Sequence, residues 1–106
     1  MGGFEMNSRQ KGARGEREWA EVLRSHGFQA RRGQQFSGGT ESPDVVCTEL
    51  PFHFEVKRVE SLNLQSACEQ ASRDSGGKPW VVAHKKNRTP WLITISAETF
   101  FQLLGR

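Results

Sequence analysis

Asp44 follows a proline at the head of an apolar pair, Val45-Val46, and further along Glu55 and Lys57 stand two apart in the run Phe52–Lys57. Successive side chains of a strand point to opposite faces. Glu55 and Lys57 therefore share one face, roughly 7 Å apart, and Phe52, Phe54 and Val56 share the other. If the two runs pair, Asp44 comes beside Glu55. Two carboxylates and an ammonium then converge at a strand end. That set is an oxygen-donor site for Mg²⁺, with Mn²⁺ as a substitute. Lys57 would orient or deprotonate the attacking water and counter developing charge, the chemistry of metal-assisted phosphodiester cleavage.

A third carboxylate belongs with them. Ser8 to about His26 is patterned as a helix, stopped by Gly27. On its wheel Ala13, Trp19, Ala20 and Leu23 form an apolar stripe, with Glu16 in its middle and Glu18 and Glu21 pointing away. A carboxylate at the centre of such a stripe is costly without a partner. The partner is either a bound cation, to which Glu16 adds a direct or water-mediated ligand, or an Arg or Lys ion pair.

The remaining elements must hold these groups in place. Phe28–Arg32 is predicted as a strand and Gly33–Ser42 as a Gly-rich loop. Asp44–Thr48 and Phe52–Lys57 are strands around a turn at Pro51. Leu62–Asp74 is a helix ended by Gly76-Gly77. Trp80–Ala83 and Trp91–Ile95 are strands joined by the basic segment His84–Pro90. Ser96 caps a last helix, Ala97–Leu104. This order predicts an α/β fold, a central mixed sheet of about five strands flanked by helices. At 106 residues the chain is one small domain, with residues 1–7 a disordered leader.

Hydrophobic residues are 35% of the chain and no apolar run nears the roughly 20 residues of a membrane span, so a soluble protein without a membrane partner is expected. There is no secretory h-region, and the expected location is the cytoplasm of a prokaryotic or phage-infected cell. Cys47 and Cys68 lack metal or disulfide spacing and are expected as reduced thiols. The net charge is +3, and its distribution carries the information. Arg9, Lys11, Arg14, Arg17, Arg24, Arg31 and Arg32 fall in the first third, and Lys85, Lys86 and Arg88 form a second group. Basic clusters around an acidic site suit a polyanion, although either cluster by itself also reads as a solvated face.

Other residues carry weaker signals. Gln70, in the second helix, can fix a catalytic lysine, contact DNA or simply face solvent. His26, His53 and His84 show no metal-ligand spacing. His53 lies on the Glu55/Lys57 face, yet an ordinary surface or half-buried histidine is the expectation for all of them. Trp80, Trp91, Phe100 and Phe101 are expected in the core or at a subunit interface. Phe36 stands in the Gly-rich loop, as a wedge at a DNA branch or as the loop's anchor.

Taken in order, Lys11-Gly12-Ala13-Arg14-Gly15-Glu16-Arg17-Glu18, His26-Gly27-Phe28, Pro43-Asp44-Val45-Val46 and Glu55-Val56-Lys57 resemble the archaeal-type Holliday junction resolvases and their small phage relatives, within the PD-(D/E)xK nuclease superfamily. The resemblance covers roughly residues 9–83. It implies a restriction-endonuclease-like core, a homodimer, and Mg²⁺-dependent incision of branched DNA in recombination and repair. Carried onto this chain, Glu16, Asp44, Glu55 and Lys57 match the catalytic positions. Lys11, Arg17 and Arg31 or Arg32 match basic positions, and Ser37 lies in a loop that resembles the catalytic-loop region. No organic cofactor is implied.

The expected function is thus a structure-specific DNA endonuclease, foremost a junction resolvase. Its alternatives are a nuclease or nickase of the same fold acting on flaps, forks or plain duplex, a non-catalytic DNA-binding module, and a small protein-interaction domain whose charges are mere surface.

Overall fold

The structure, a computed structural model, describes residues 8–33 and 43–106. The expected leader at 1–7 and most of the Gly-rich loop, with Phe36 and Ser37, lie outside the described residues.

Helix α1 spans Ser8–Ser25 and closes as the sequence predicts. Gly27 takes φ +90°, its N–H donates to Arg24 O, and the Phe28 N–H donates to Leu23 O. Those paired bonds satisfy the last helical carbonyls around a left-handed residue, which glycine adopts without a Cβ penalty. Strands β1 (Arg31–Arg32), β2 (Val45–Val46) and β3 (His53–Arg58) follow. Then come α2 (Leu64–Asp74), β4 (Trp80–Lys85), β5 (Leu92–Thr94) and α3 (Ala97–Leu103). Side-chain oxygens of Asn63 and Ser96 accept from Ser66 N–H and Thr99 N–H and fix the starts of α2 and α3.

The five strands lie in chain order in one mixed sheet. All neighbours are antiparallel except β3 and β4, which run parallel through the α2 crossover, with Glu55 opposite Val82 and Lys57 opposite His84. Parity sorts the side chains into two layers. Phe54, Val56, Val81 and Ala83 share one face and pack with Val45 against Trp19, Ala20 and Leu23 of α1. Val82 faces the other way and packs against Ala67 and Ala71 of α2. Two helices therefore cover opposite faces, the α/β arrangement that the element order predicts.

Local patterning overstates the first two strands. Phe28 N–H is committed to the end of α1 and Gln29 N–H to the Glu49 carboxylate, so neither joins the ladder. Cys47 O accepts from Leu50 N–H in a turn, which ends β2 early. Among the described residues no helix is long and apolar enough to cross a membrane. Cys47 and Cys68 are free thiols.

Candidate active site at the end of strand β3

Strand β2 leaves β3 just where the acidic residues lie. Val45 is the last β2 residue to pair, opposite Phe54, and Asp44 N–H donates to Phe54 O. The Val56 N–H next along that edge donates instead to Asp44 Oδ2 at 2.8 Å. One side chain thus occupies the place of a strand partner and is pinned against β3. The approach needs Gly33, whose N–H donates to Asp44 O, because a Cβ there would sit 2.0 Å from Pro43 O.

Asp44 stands beside Glu55. Burial, the Glu55 charge, the Glu16 charge and a shared hydrogen bond with Glu55 raise its pKa to about 7, and the Val56 N–H opposes them only in part. A divalent cation would relieve that crowding. Among the described residues no three His, Cys, Asp or Glu side chains are close enough together to hold an ion. Two carboxylates nonetheless fit Mg²⁺, which keeps several waters and takes one or two protein carboxylates plus substrate phosphate oxygens.

Glu16 takes the ion-pair alternative. Its Oε1 accepts from Arg32 Nε at 3.0 Å, with the Glu16 side chain 11% exposed and that of Arg32 45%. It is near enough for its charge to act on Asp44, but it does not join a three-carboxylate cluster. Gly15 permits this placement. A Cβ on Gly15 would lie 2.6 Å from Arg58 Cβ, so only glycine lets α1 approach β3 so closely. Glu18 does not point away as the wheel suggests. Because β3 continues to Arg58 under the helix, Glu18 Oε1 accepts from Arg58 Nε at 3.0 Å.

Lys57 reaches across to α2, where its Nζ donates to Gln70 Oε1 at 3.0 Å. Of the possibilities that the sequence leaves for Gln70, the structure shows the lysine partner. His53 is the largest departure from expectation. It is 4% exposed rather than a surface or half-buried histidine, and its Nε2 lies 2.8 Å from Glu55 Oε1, itself in a residue 2% exposed. The i, i+2, i+4 alternation along β3 was the signal for this grouping.

The basic residues are spread over several elements. Arg14 and Arg17 are exposed on α1, Arg31 is exposed on β1, and Lys86 and Arg88 are exposed in the β4–β5 turn. Lys85, expected in the connecting loop, belongs to β4 because that strand continues opposite Arg58. Arg58 Nη1 donates to Asn87 Oδ1 and Asn87 N–H donates to Glu60, which ties the basic turn to the end of the strand bearing Lys57. His84, also placed near that turn by the sequence, is engaged with Thr94 Oγ1, and burial lowers its pKa. Ser37 and the Lys11 side chain lie outside the described residues. Trp91 is partly buried and packs against the core with its ring tilted on that of Trp19, whereas Phe100 and Phe101 are about half exposed and so are not core residues.

The chain is similar to known proteins. The family model described as archaeal Holliday junction resolvase (Hjc) matches residues 7–100. Among solved structures the chain is similar to Hjc, a Holliday junction resolvase of the archaeal hyperthermophile Archaeoglobus fulgidus. The TM-score is 0.55 and the identity 27%, over 80% of this chain and 72% of that one. No curated protein sequence matches.

Proposed function

The chain belongs to the archaeal Holliday junction resolvase family, and on that premise we propose that it is a divalent-metal-dependent endonuclease that cuts four-way DNA junctions as a homodimer. The observation that carries the catalytic reading is the meeting of Asp44 and Glu55 where β2 parts from β3, with Lys57 held on the same strand by Gln70.

Mg²⁺ or Mn²⁺ between Asp44 and Glu55 would supply charge neutralisation on the scissile phosphate and acidify water there. The protein's own groups do the rest. Lys57, tethered at its Nζ, orients the attacking water and offsets negative charge as the water oxygen bonds to phosphorus and the bond to the leaving sugar oxygen breaks. Glu16 acts on the site through its charge and through water. It also holds the Arg32 guanidinium, whose exposed edge faces phosphate. Arg14, Arg17, Arg31, Lys86 and Arg88 bind the DNA backbone, so recognition is of shape and charge rather than bases.

A four-way junction has approximate two-fold symmetry, and a two-fold dimer places two sites on paired strands. The last two elements support that assembly. Leu92, Ile93, Phe100, Phe101, Leu103 and Leu104 are each about half exposed or more, and β5 is a sheet edge. An apolar edge strand left in water invites pairing with another chain. The test is a panel of four-way junction, flap, fork and linear duplex of matched sequence. Preferential cutting of the junction supports this function. Equal cutting of all would make the protein a general nuclease of the same fold, and binding without cutting would make it a DNA-binding module.

A further inference from the structure

His53 and Glu55 form a buried polar pair of which the hydrolytic scheme above uses only the glutamate. Both lie on the face of β3 that α2 covers, and both are almost wholly removed from solvent. A carboxylate can only accept, so its bond to His53 Nε2 requires the imidazole proton on that nitrogen. The histidine backbone is fixed as well, because His53 N–H donates to Pro79 O and the residue pairs with Trp80 in β4. Burial on this fixed backbone leaves the ring little freedom to follow Glu55 if the carboxylate turns.

We propose that His53 is a positioning residue for the metal site. Its Nε2–H holds Glu55 Oε1 and leaves the other carboxylate oxygen to take the divalent cation together with Asp44. The inference rests on the two-carboxylate metal site proposed above. A carboxylate on a side chain with three rotatable bonds samples many orientations. Fixing one oxygen removes that freedom before the cation arrives, and outer partners of this kind change metal affinity by about 10–100-fold when lost. Asp44 is pinned in the same fashion by Val56 N–H. The pair of ligands is thus oriented by two separate donors, one backbone and one imidazole.

The test is Mn²⁺ binding without DNA, read from loss of the free-ion electron paramagnetic resonance signal. The variants are His53→Gln, His53→Asn and His53→Leu. A Gln amide reaches the position of Nε2, whereas an Asn amide is too short. His53→Gln should stay within about threefold of the wild type, and Asn and Leu should weaken Mn²⁺ by about tenfold or more. In cleavage assays the Asn variant should need more Mg²⁺ for half its maximal rate yet approach the wild-type rate at saturation, a split that general loss of structure does not produce. Wild-type affinity in Asn and Leu would overturn the proposal. Should those variants not fold, the wild-type ring ¹⁵N signals decide: they should shift as Mg²⁺ fills the site, and no shift at saturation would overturn it. Absence of Mn²⁺ binding by the wild type itself would refute the metal site, a result distinct from wild-type affinity in the variants.

Discussion

Lys57 and Gln70 are joined across the β3–α2 layer, with Nζ donating to Oε1 at 3.0 Å. The lysine has four rotatable side-chain bonds, and a single acceptor on a packed helix restricts where its ammonium points. Gln70 therefore acts through Lys57. Lys57→Ala should lower single-turnover cutting of a junction by about 100-fold or more. Gln70→Ala should lower it by about tenfold. The double variant should be no slower than Lys57→Ala alone, because groups that act as one unit are not additive. Multiplying losses would separate the two residues.

Asp44 predicts an unusual pH dependence. Its pKa is raised from an ordinary 3.8 to about 7, so between those values the folded, metal-free protein binds more protons than the unfolded chain. Stability must fall as pH rises through that window and level off above it. Chemical denaturation of metal-free protein at pH 5 and pH 8 checks this. Asp44→Asn should flatten the profile, abolish cutting and retain junction binding, since losing a carboxylate reduces repulsion of phosphate. Mg²⁺ should raise the melting temperature at pH 8 in the wild type and not in Asp44→Asn.

Two glycines of α1 should respond with opposite signs. Alanine is preferred to glycine inside a helix by about 1 kcal/mol. Gly12 has nothing within 4 Å of an added Cβ, so Gly12→Ala should stabilise the fold. At Gly15 the new Cβ would meet Arg58 at 2.6 Å and force the helix off β3. Gly15→Ala should cost about 1–3 kcal/mol and slow cutting, because Glu16 moves with the backbone. Denaturant midpoints and cleavage rates for the pair check both signs.

Much of this was legible in the chain. Helix ends marked by Gly27, Ser96 and Gly76-Gly77, and the long alternating run of β3, depend on local chemistry and appear where patterning puts them. The two-residue strands β1 and β2 are set by partners far along the chain, and local propensity does not see Gln29 N–H diverted to Glu49. The same limit applies at the site. Spacing brings Asp44 to Glu55, but that Glu16 pairs with Arg32 rather than joining them depends on how α1 packs. Parity puts His53 with Glu55. Only the cover of α2 reveals that this face is interior.

The apolar surface of β5 and α3 predicts the assembly. Ile93→Glu with Phe101→Glu should leave a folded monomer in sedimentation experiments, since neither side chain is buried in the protomer. Such a monomer should lose the coordinated cutting of paired strands. A wild type that sediments as a monomer would refute the dimer, and a variant that still sediments as a dimer would place its surface elsewhere.

Arg88 holds φ +64° at the tip of the basic turn, a conformation that strains a side chain and suits glycine. Arg88→Gly should therefore stabilise the protein slightly while weakening junction binding. The logarithmic salt dependence should become shallower by about one unit, as for loss of one phosphate contact. Binding titrations over a range of salt concentrations, without metal, read both quantities. Wild-type affinity that barely changes with salt would contradict the electrostatic account of recognition.

We propose that Asp44, Glu55 and Lys57 form a metal-dependent site for junction cleavage. Incubating the purified protein with an end-labelled four-way junction and a matched linear duplex tests it most directly. Both substrates are run with Mg²⁺ and with chelator, beside Lys57→Ala. Paired, symmetric cuts should appear in the junction alone, present with Mg²⁺, absent with chelator and lost in Lys57→Ala. Cutting that persists in chelator or in Lys57→Ala, or no cutting with either Mg²⁺ or Mn²⁺, would contradict it.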